Sequence, residues 1–227
     1  MEKHLQLSLS ELSLSKREIN LSLGYGRNQP DQLIEEIINQ ELQIINQFCR
    51  PSIYLRILDG DLVNHSELKV LDTIFLVGEI IGNNLHGISK FCLFVVTTGI
   101  EFDEYKKDLR KQNKQLEEFV ADAIGSVIAE SCVDYIHKYL QGNDLKTTLG
   151  YSPGYCGWRL EEQKLLLSLL PSSKCNISLS DSSLMTPMKS VSGILGVGKN
   201  VRRKGYSCGI CTLDNCYKRK QKRMNLN

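Results

Sequence analysis

No apolar run in this 227-residue chain is long enough to cross a bilayer. The longest, Phe91–Val96 and Leu165–Leu170, end after six residues, against roughly 20 for a spanning helix. The N-terminus has no basic stretch leading into an apolar one, so the sequence reads as a soluble cytoplasmic protein with no membrane to bind. Histidine is scarce: His4, His65, His86 and His137 stand far apart, and none has a nucleophile or second metal donor at a fixed spacing. The formal net charge is only +2, and no RNA-binding signature accompanies the basic residues, so no nucleic-acid partner is expected. There is no internal repeat. What is there is a 41% hydrophobic chain, enough for the core of one large domain or of a domain with a small appendage.

The charge is unevenly spread. Lys199 to Arg223 holds nine Lys or Arg against the single Asp214, which is +8 and leaves −6 for the remainder. The eight cysteines divide the same way. Cys49, Cys92, Cys132, Cys156 and Cys175 are scattered singly, mostly within apolar segments, and are expected as free buried thiols. Cys208, Cys211 and Cys216 cluster in the basic tail, with donor spacing for zinc or an iron–sulfur cluster but one ligand short of a closed site. Cys156, Cys175 or a partner's residue would complete it. The alternative is a redox-active dithiol whose pKa is lowered by Arg202, Arg203 and Lys218.

Periodicity organises the rest. The first residues, with repeated Leu-Ser steps, read as a frayed arm or an edge strand, and Ser15–Tyr25 as a short element ending at Gly24. Leu33, Ile34, Ile37, Ile38, Leu42 and Ile45 recur at helical spacing, predicting a helix over 31–48. Ile53–Leu58 is rich in strand formers, with a turn expected at Asp59-Gly60 and a return strand at Leu62–Asn64. Glu67–Leu71 and Ile74–Ile81 fit either strand or helix, with Gly82-Asn83-Asn84 as a helical stop. Lys90–Thr98 is the clearest strand, apolar on both faces and so central in a sheet; Gly99 ends it. Leu116–Leu140 is the strongest helix, with Gly125 and Ser126 allowing close packing. Leu160–Leu170 is a short helix with Glu161 and Glu162 in its first turn. Ile177–Leu179 and Lys189–Leu195 are expected strands around a loop at Asp181–Met188. Gly193–Gly198 lacks the Lys-Ser/Thr of a phosphate loop and reads as a strand-end turn. Strands and helices mix without regular alternation, which predicts an α+β fold rather than a doubly wound one.

Between Thr147 and Trp158 lies the segment richest in chemistry. Pro153 fixes its own φ and Gly154 permits values that other residues avoid, so Tyr151, Tyr155 and Trp158 ride on a constrained backbone. Two readings stay open: a tight turn whose aromatics cap the core, and a binding loop that offers aromatic faces and backbone groups to a ligand.

Several separated pieces share one resemblance. Leu23-Gly24-Tyr25, Phe94-Val-Val-Thr-Thr-Gly99, Asp122-Ala-Ile-Gly-Ser126 with Glu130 and Asp134-Tyr135, Tyr151-Ser-Pro-Gly-Tyr155, Leu184-Met-Thr-Pro-Met-Lys-Ser-Val-Ser-Gly193 and Cys208-x-x-Cys211-x-x-x-x-Cys216 together resemble the activation-domain family of cobalamin-dependent methionine synthase, in its small stand-alone form. The resemblance covers nearly the whole chain after residue 15. It implies a twisted, largely antiparallel sheet flanked by helices, as an arm at 1–15, a domain at 16–200 and a basic cysteine-rich tail at 201–227. It implies S-adenosylmethionine as ligand, held by Tyr151, Ser152, Pro153, Gly154, Tyr155, Cys156 and Trp158, and reductive methylation of cobalamin carried by a partner, either a cobalamin-binding methionine synthase or another corrinoid protein, with an electron donor alongside. The sulfonium and the flat adenine suit aromatic faces, and Asp103 or Glu104 would meet the ammonium. The chain departs from the family's pattern at Gly150, where the multidomain enzyme has a ligand-contacting arginine; Arg159 and Lys146 are the nearby cations. It also lacks a tyrosine pair beyond Ser-Val-Ser-Gly. The competing reading is a metal- or thiol-based redox protein that delivers electrons to a corrinoid partner through the terminal cysteines.

Overall fold

The computed structural model describes residues 1–203 except 27, 172, 173 and 175. The tail from residue 204, with Cys208, Cys211 and Cys216, lies outside the described residues.

A seven-stranded antiparallel sheet forms the centre. Its strands run in the order β4 (Thr73–Leu76), β3 (Glu67–Val70), β2 (Ser52–Leu62), β5 (Lys90–Thr97), β9 (Ser190–Gly198) and β6 (Lys146–Thr147), with β1 (Glu2–Gln6) paired to β2. A separate hairpin joins β7 (Ser178–Leu179) to β8 (Met185–Thr186). The fold is α+β, as expected. β5 sits between β2 and β9, and its residues 91–97 are all buried, as its apolar character on both faces requires.

Alternation along these strands sends side chains into two clusters, one on each face of the sheet. Ile53, Leu55, Cys92, Phe94 and Val96 point to the side covered by helices. Those helices are α1 (Lys16–Ser22), α2 (Gln32–Phe48), α4 (Ile100–Lys111) and the 28-residue α5 (Gln115–Gly142), which packs on the other three and on the sheet. Tyr54, Phe91, Leu93 and Val95 point to the other side. There they meet β3, β4, α3 (Glu79–Leu85), the 150–158 loop and α6 (Gln163–Ser168).

Of the two readings for the start of the chain, the edge strand is found. β1 pairs with β2 from Glu2↔Arg56 to Gln6↔Ser52, and Leu7, Leu9 and Leu12 are buried in the helical-side core. Residues 1–15 are thus built into the sheet and core rather than set apart as an arm, because their spaced leucines have an apolar surface to cover.

Other elements differ from the sequence reading. Asp59-Gly60 is no turn: β2 runs through it to Leu62, passing from β5 to β3. A Cβ on Gly60 would lie 2.5 Å from the Lys69 carbonyl, so the glycine serves a close strand approach. Gly82 does not stop a helix but sits inside α3, where a Cβ would lie 2.0 Å from the His65 carbonyl. Gly193–Gly198 is strand interior rather than a strand-end turn. Helix α4, absent from the periodic reading, begins directly after Gly99 (φ 98°); only Phe102 and Leu109 are buried in it, too few for a visible apolar period. Leu33, Leu116 and Phe119, expected on buried faces, are exposed, and Glu41 is buried in their stead, hydrogen-bonded by the Tyr105 hydroxyl at 2.7 Å. Cys49, Cys92, Cys132 and Cys156 are buried and in no disulfide among the described residues; burial pushes the Cys49, Cys92 and Cys132 thiols up to about 12.

Candidate functional site

The loop after β6 is held to β9 by the Thr148 N–H, which donates to the Gly196 carbonyl at 2.9 Å, and by a bridge at Tyr151. Tyr151 exchanges both backbone hydrogen bonds with Ile194 of β9, at 3.0 and 2.8 Å. Beyond it the chain turns tightly: Tyr155 N–H donates to the Ser152 carbonyl, Gly154 N–H to the Trp158 carbonyl and Trp158 N–H to the Tyr155 carbonyl. Gly154 and Gly157 hold φ of 90° and 88°, and Cys156 reaches 55° without being glycine. That conformation is costly for a side-chain-bearing residue and persists where the surroundings hold it.

What holds it is Trp158. Its ring is 1% exposed and meets Phe75 of β4 edge to face, with centroids 5.8 Å apart, a favoured aromatic geometry. Its Nε1–H donates to Glu162 Oε2 at 2.9 Å, and the same oxygen accepts the Leu76 N–H of β4 at 2.8 Å. Glu162, predicted only as a helix-start acid, thus ties the loop to an edge strand. Nothing in the sequence signals that link, since Leu76 and Glu162 are far apart along the chain.

The seven expected site residues therefore divide. Tyr151, Pro153, Cys156 and Trp158 are buried, Ser152 is half-buried, and Gly154 and Tyr155 are exposed. Burial pushes the Tyr151 phenol up to about 12. Tyr151 and Trp158 belong to the core cluster, so they offer no aromatic face to a ligand, whereas Tyr155, 46% exposed, does. Of the backbone groups around Ser152, Gly154 and Cys156, the Gly154 N–H is spent inside the turn. The core-capping reading therefore holds for Tyr151 and Trp158, while Tyr155 is left at the surface.

The other expected contacts are also placed. A Cβ on Gly150 would sit 3.5 to 3.8 Å from Leu195, Val133 and Phe94, ordinary contact distances that leave room for a side chain there. Arg159 is exposed and pairs with Glu161 at 3.4 Å. Asp103 accepts the Met188 N–H at 2.8 Å, which commits that oxygen to the loop before β9. Next to it Lys189 donates to Asp122 Oδ2 at 2.8 Å and to Ser126 Oγ at 2.9 Å, and Lys106 donates to Asp122 Oδ1. Burial raises the Asp122 carboxyl, but the two lysines outweigh it and hold the group below its ordinary value. The Asp122-to-Ser126 motif is in this way a clamp between α5, α4 and the base of β9.

Among the described residues no group of His, Cys, Asp or Glu is arranged to hold a metal ion. Buried Cys156 offers no such set, and Cys175 lies outside the described residues with the terminal cysteines. The zinc or iron–sulfur expectation finds no support. No helix among the described residues is long and apolar enough to cross a membrane.

The sheet order, the helical layer on one face and the aromatic turn on the other define an activation-domain-type α+β unit. The chain belongs to the family described as the vitamin B12 dependent methionine synthase activation domain, whose profile matches residues 79–223. In fold it is similar to the crystal structure of the MetH reactivation domain bound to AdoHcy, with a TM-score of 0.71 over 91% of this chain and 80% of that one at 14% sequence identity. A search of curated proteins found no match.

Proposed function

We propose that this chain binds S-adenosylmethionine beside the 150–158 turn and supports reductive methylation of cobalamin held by a separate cobalamin-binding methionine synthase or corrinoid protein, with an electron donor supplying the reduction. The observation that carries the reading is the turn itself: a strained, anchored backbone that leaves one aromatic ring, Tyr155, facing out, in a chain of the activation-domain family. That the similar MetH reactivation domain was crystallised with AdoHcy supports the ligand class.

S-adenosylmethionine supplies a methyl group on a sulfonium, already a good leaving group, so the protein's part is positioning rather than acid–base work. The Tyr155 ring would lie against the sulfonium as a cation–π partner. Trp158 and Glu162 keep that ring in place from behind. Ser152, half-buried at the turn's start, would hydrogen-bond the ligand's polar end.

Calorimetry with S-adenosylmethionine on the wild type and on Tyr155→Ala tests this. Removing an exposed cation–π partner should weaken binding about five- to thirtyfold, with the melting temperature of the free protein unchanged. Absence of both heat and thermal stabilisation in the wild type at saturating ligand would refute the reading. Methylation of reduced cobalamin should further require the partner module.

A further inference from the structure

The two carboxylates nearest in sequence to the aromatic turn already have partners. Glu161 pairs with Arg159 at 3.4 Å, so the two charges offset each other beside the turn. Glu162 Oε2 accepts both the Trp158 indole N–H and the Leu76 N–H. The rings of Tyr151 and Trp158 are buried. What the turn presents outward is the ring of Tyr155, 46% exposed and carried on a backbone tied by three hydrogen bonds.

An aromatic face attracts a cation and has no such attraction for a neutral group. Methyl transfer changes the ligand at just that point. The S–CH3 bond breaks, its electron pair stays on sulfur, and the acceptor's electron pair forms the new bond to the methyl carbon, so the sulfonium becomes a neutral thioether. Adenine, ribose, carboxylate and ammonium are the same before and after, and contacts to them hold substrate and product alike. We infer that Tyr155 is the specificity-determining residue of this site: it retains S-adenosylmethionine and lets the demethylated product, S-adenosylhomocysteine, go. The inference rests on the binding reading above and adds a regulatory property to it. The product binds about five- to thirtyfold more weakly than S-adenosylmethionine, so it inhibits poorly at equal concentration.

Calorimetry on the full chain with three ligands separates the two ideas. The wild type should prefer S-adenosylmethionine over S-adenosylhomocysteine by that factor, and sinefungin, which carries an amine where the sulfonium methyl stands, should group with S-adenosylmethionine. Tyr155→Phe keeps the aromatic face and should keep the preference. Tyr155→Leu keeps an apolar side chain without that face, and should bring the ratio to about one by weakening S-adenosylmethionine alone. Unchanged melting temperatures of the free variants, expected at an exposed position, rule out a folding defect. Glu79 is the competing charge, since it is exposed and follows Gly78, which lies against Cys156 and Gly157; Glu79→Gln should leave the ratio as it is. Equal affinity of the wild type for substrate and product would overturn the inference and leave the binding reading standing. So would a ratio that survives in Tyr155→Leu, or one that is lost in Tyr155→Phe or Glu79→Gln. Binding of none of the three ligands would refute the binding reading, and the inference with it.

Discussion

Trp158 and Tyr155 stand three residues apart and do opposite work. Trp158, the only tryptophan in the chain, is fully packed on Phe75 and bonded to Glu162. Trp158→Ala should therefore cost about 3 to 5 kcal/mol of stability in denaturant unfolding, whereas Tyr155→Ala should stay within about 0.5 kcal/mol of the wild type. The sequence makes both aromatics visible and marks the turn through Pro153 and Gly154. It cannot say which ring turns inward, because that depends on β4 lying beneath the loop, some 80 residues earlier in the chain. His137 carries a second prediction at this scale. It is 8% exposed, its Nδ1 lies 2.7 Å from the Thr147 hydroxyl oxygen, and burial, aided by Arg203, lowers its pKa to about 4. The folded state thus prefers the neutral ring. Its contribution is present above pH 6.5, where the unfolded chain is also neutral, and is lost as pH falls from about 6.5 toward 4, by up to about 3 kcal/mol. Unfolding free energies measured across that window should fall less steeply for His137→Gln; an unchanged slope would show that His137 is not the group responsible.

Helices and strands were legible in proportion to their periodicity. The 31–48 helix was visible because Ile37, Ile38 and Ile45 mark one face and Asp31 caps it, accepting the Ile34 N–H at 3.0 Å. β5 was visible because every position after Lys90 is apolar or threonine. The glycines were misread, since the same residue type marks a turn, a helix end or a close approach, and only tertiary contacts separate them. Two substitutions decide which effect governs. In α3, Gly82→Ala gains about 1 kcal/mol of helix propensity, but its methyl would meet the His65 backbone carbonyl at 2.0 Å, which forces the 63–66 turn to move. The clash should win, with a net loss of about 1 to 3 kcal/mol. At the end of α5, Gly142 has open space around the same position and a φ that is not left-handed, so Gly142→Ala should stabilise by about 0.5 to 1 kcal/mol. Thermal melts of the two variants should move in opposite directions; a shift of the same sign would show that propensity or crowding alone governs both.

At the scale of the whole molecule, the two cores share their strands. Ile53 and Leu55 enter the helical-side cluster while Tyr54 between them enters the other; Cys92, Phe94 and Val96 alternate in the same way with Phe91, Leu93 and Val95. Neither cluster can lose its order without disturbing the backbone that supplies the other, so the described unit should unfold as one cooperative step. The two faces also carry separate reporters. Trp158 is buried in the cluster under the aromatic turn, whereas α2, α4 and α5, which contain most of the helical residues, cover the opposite face. Tryptophan fluorescence therefore follows one core and far-ultraviolet circular dichroism mainly the other. Their denaturant transitions should coincide in midpoint and slope. If the turn side melted first, the shared-strand argument would fail, and the ring of Tyr155 would be held by a locally stable cap rather than by the fold as a whole.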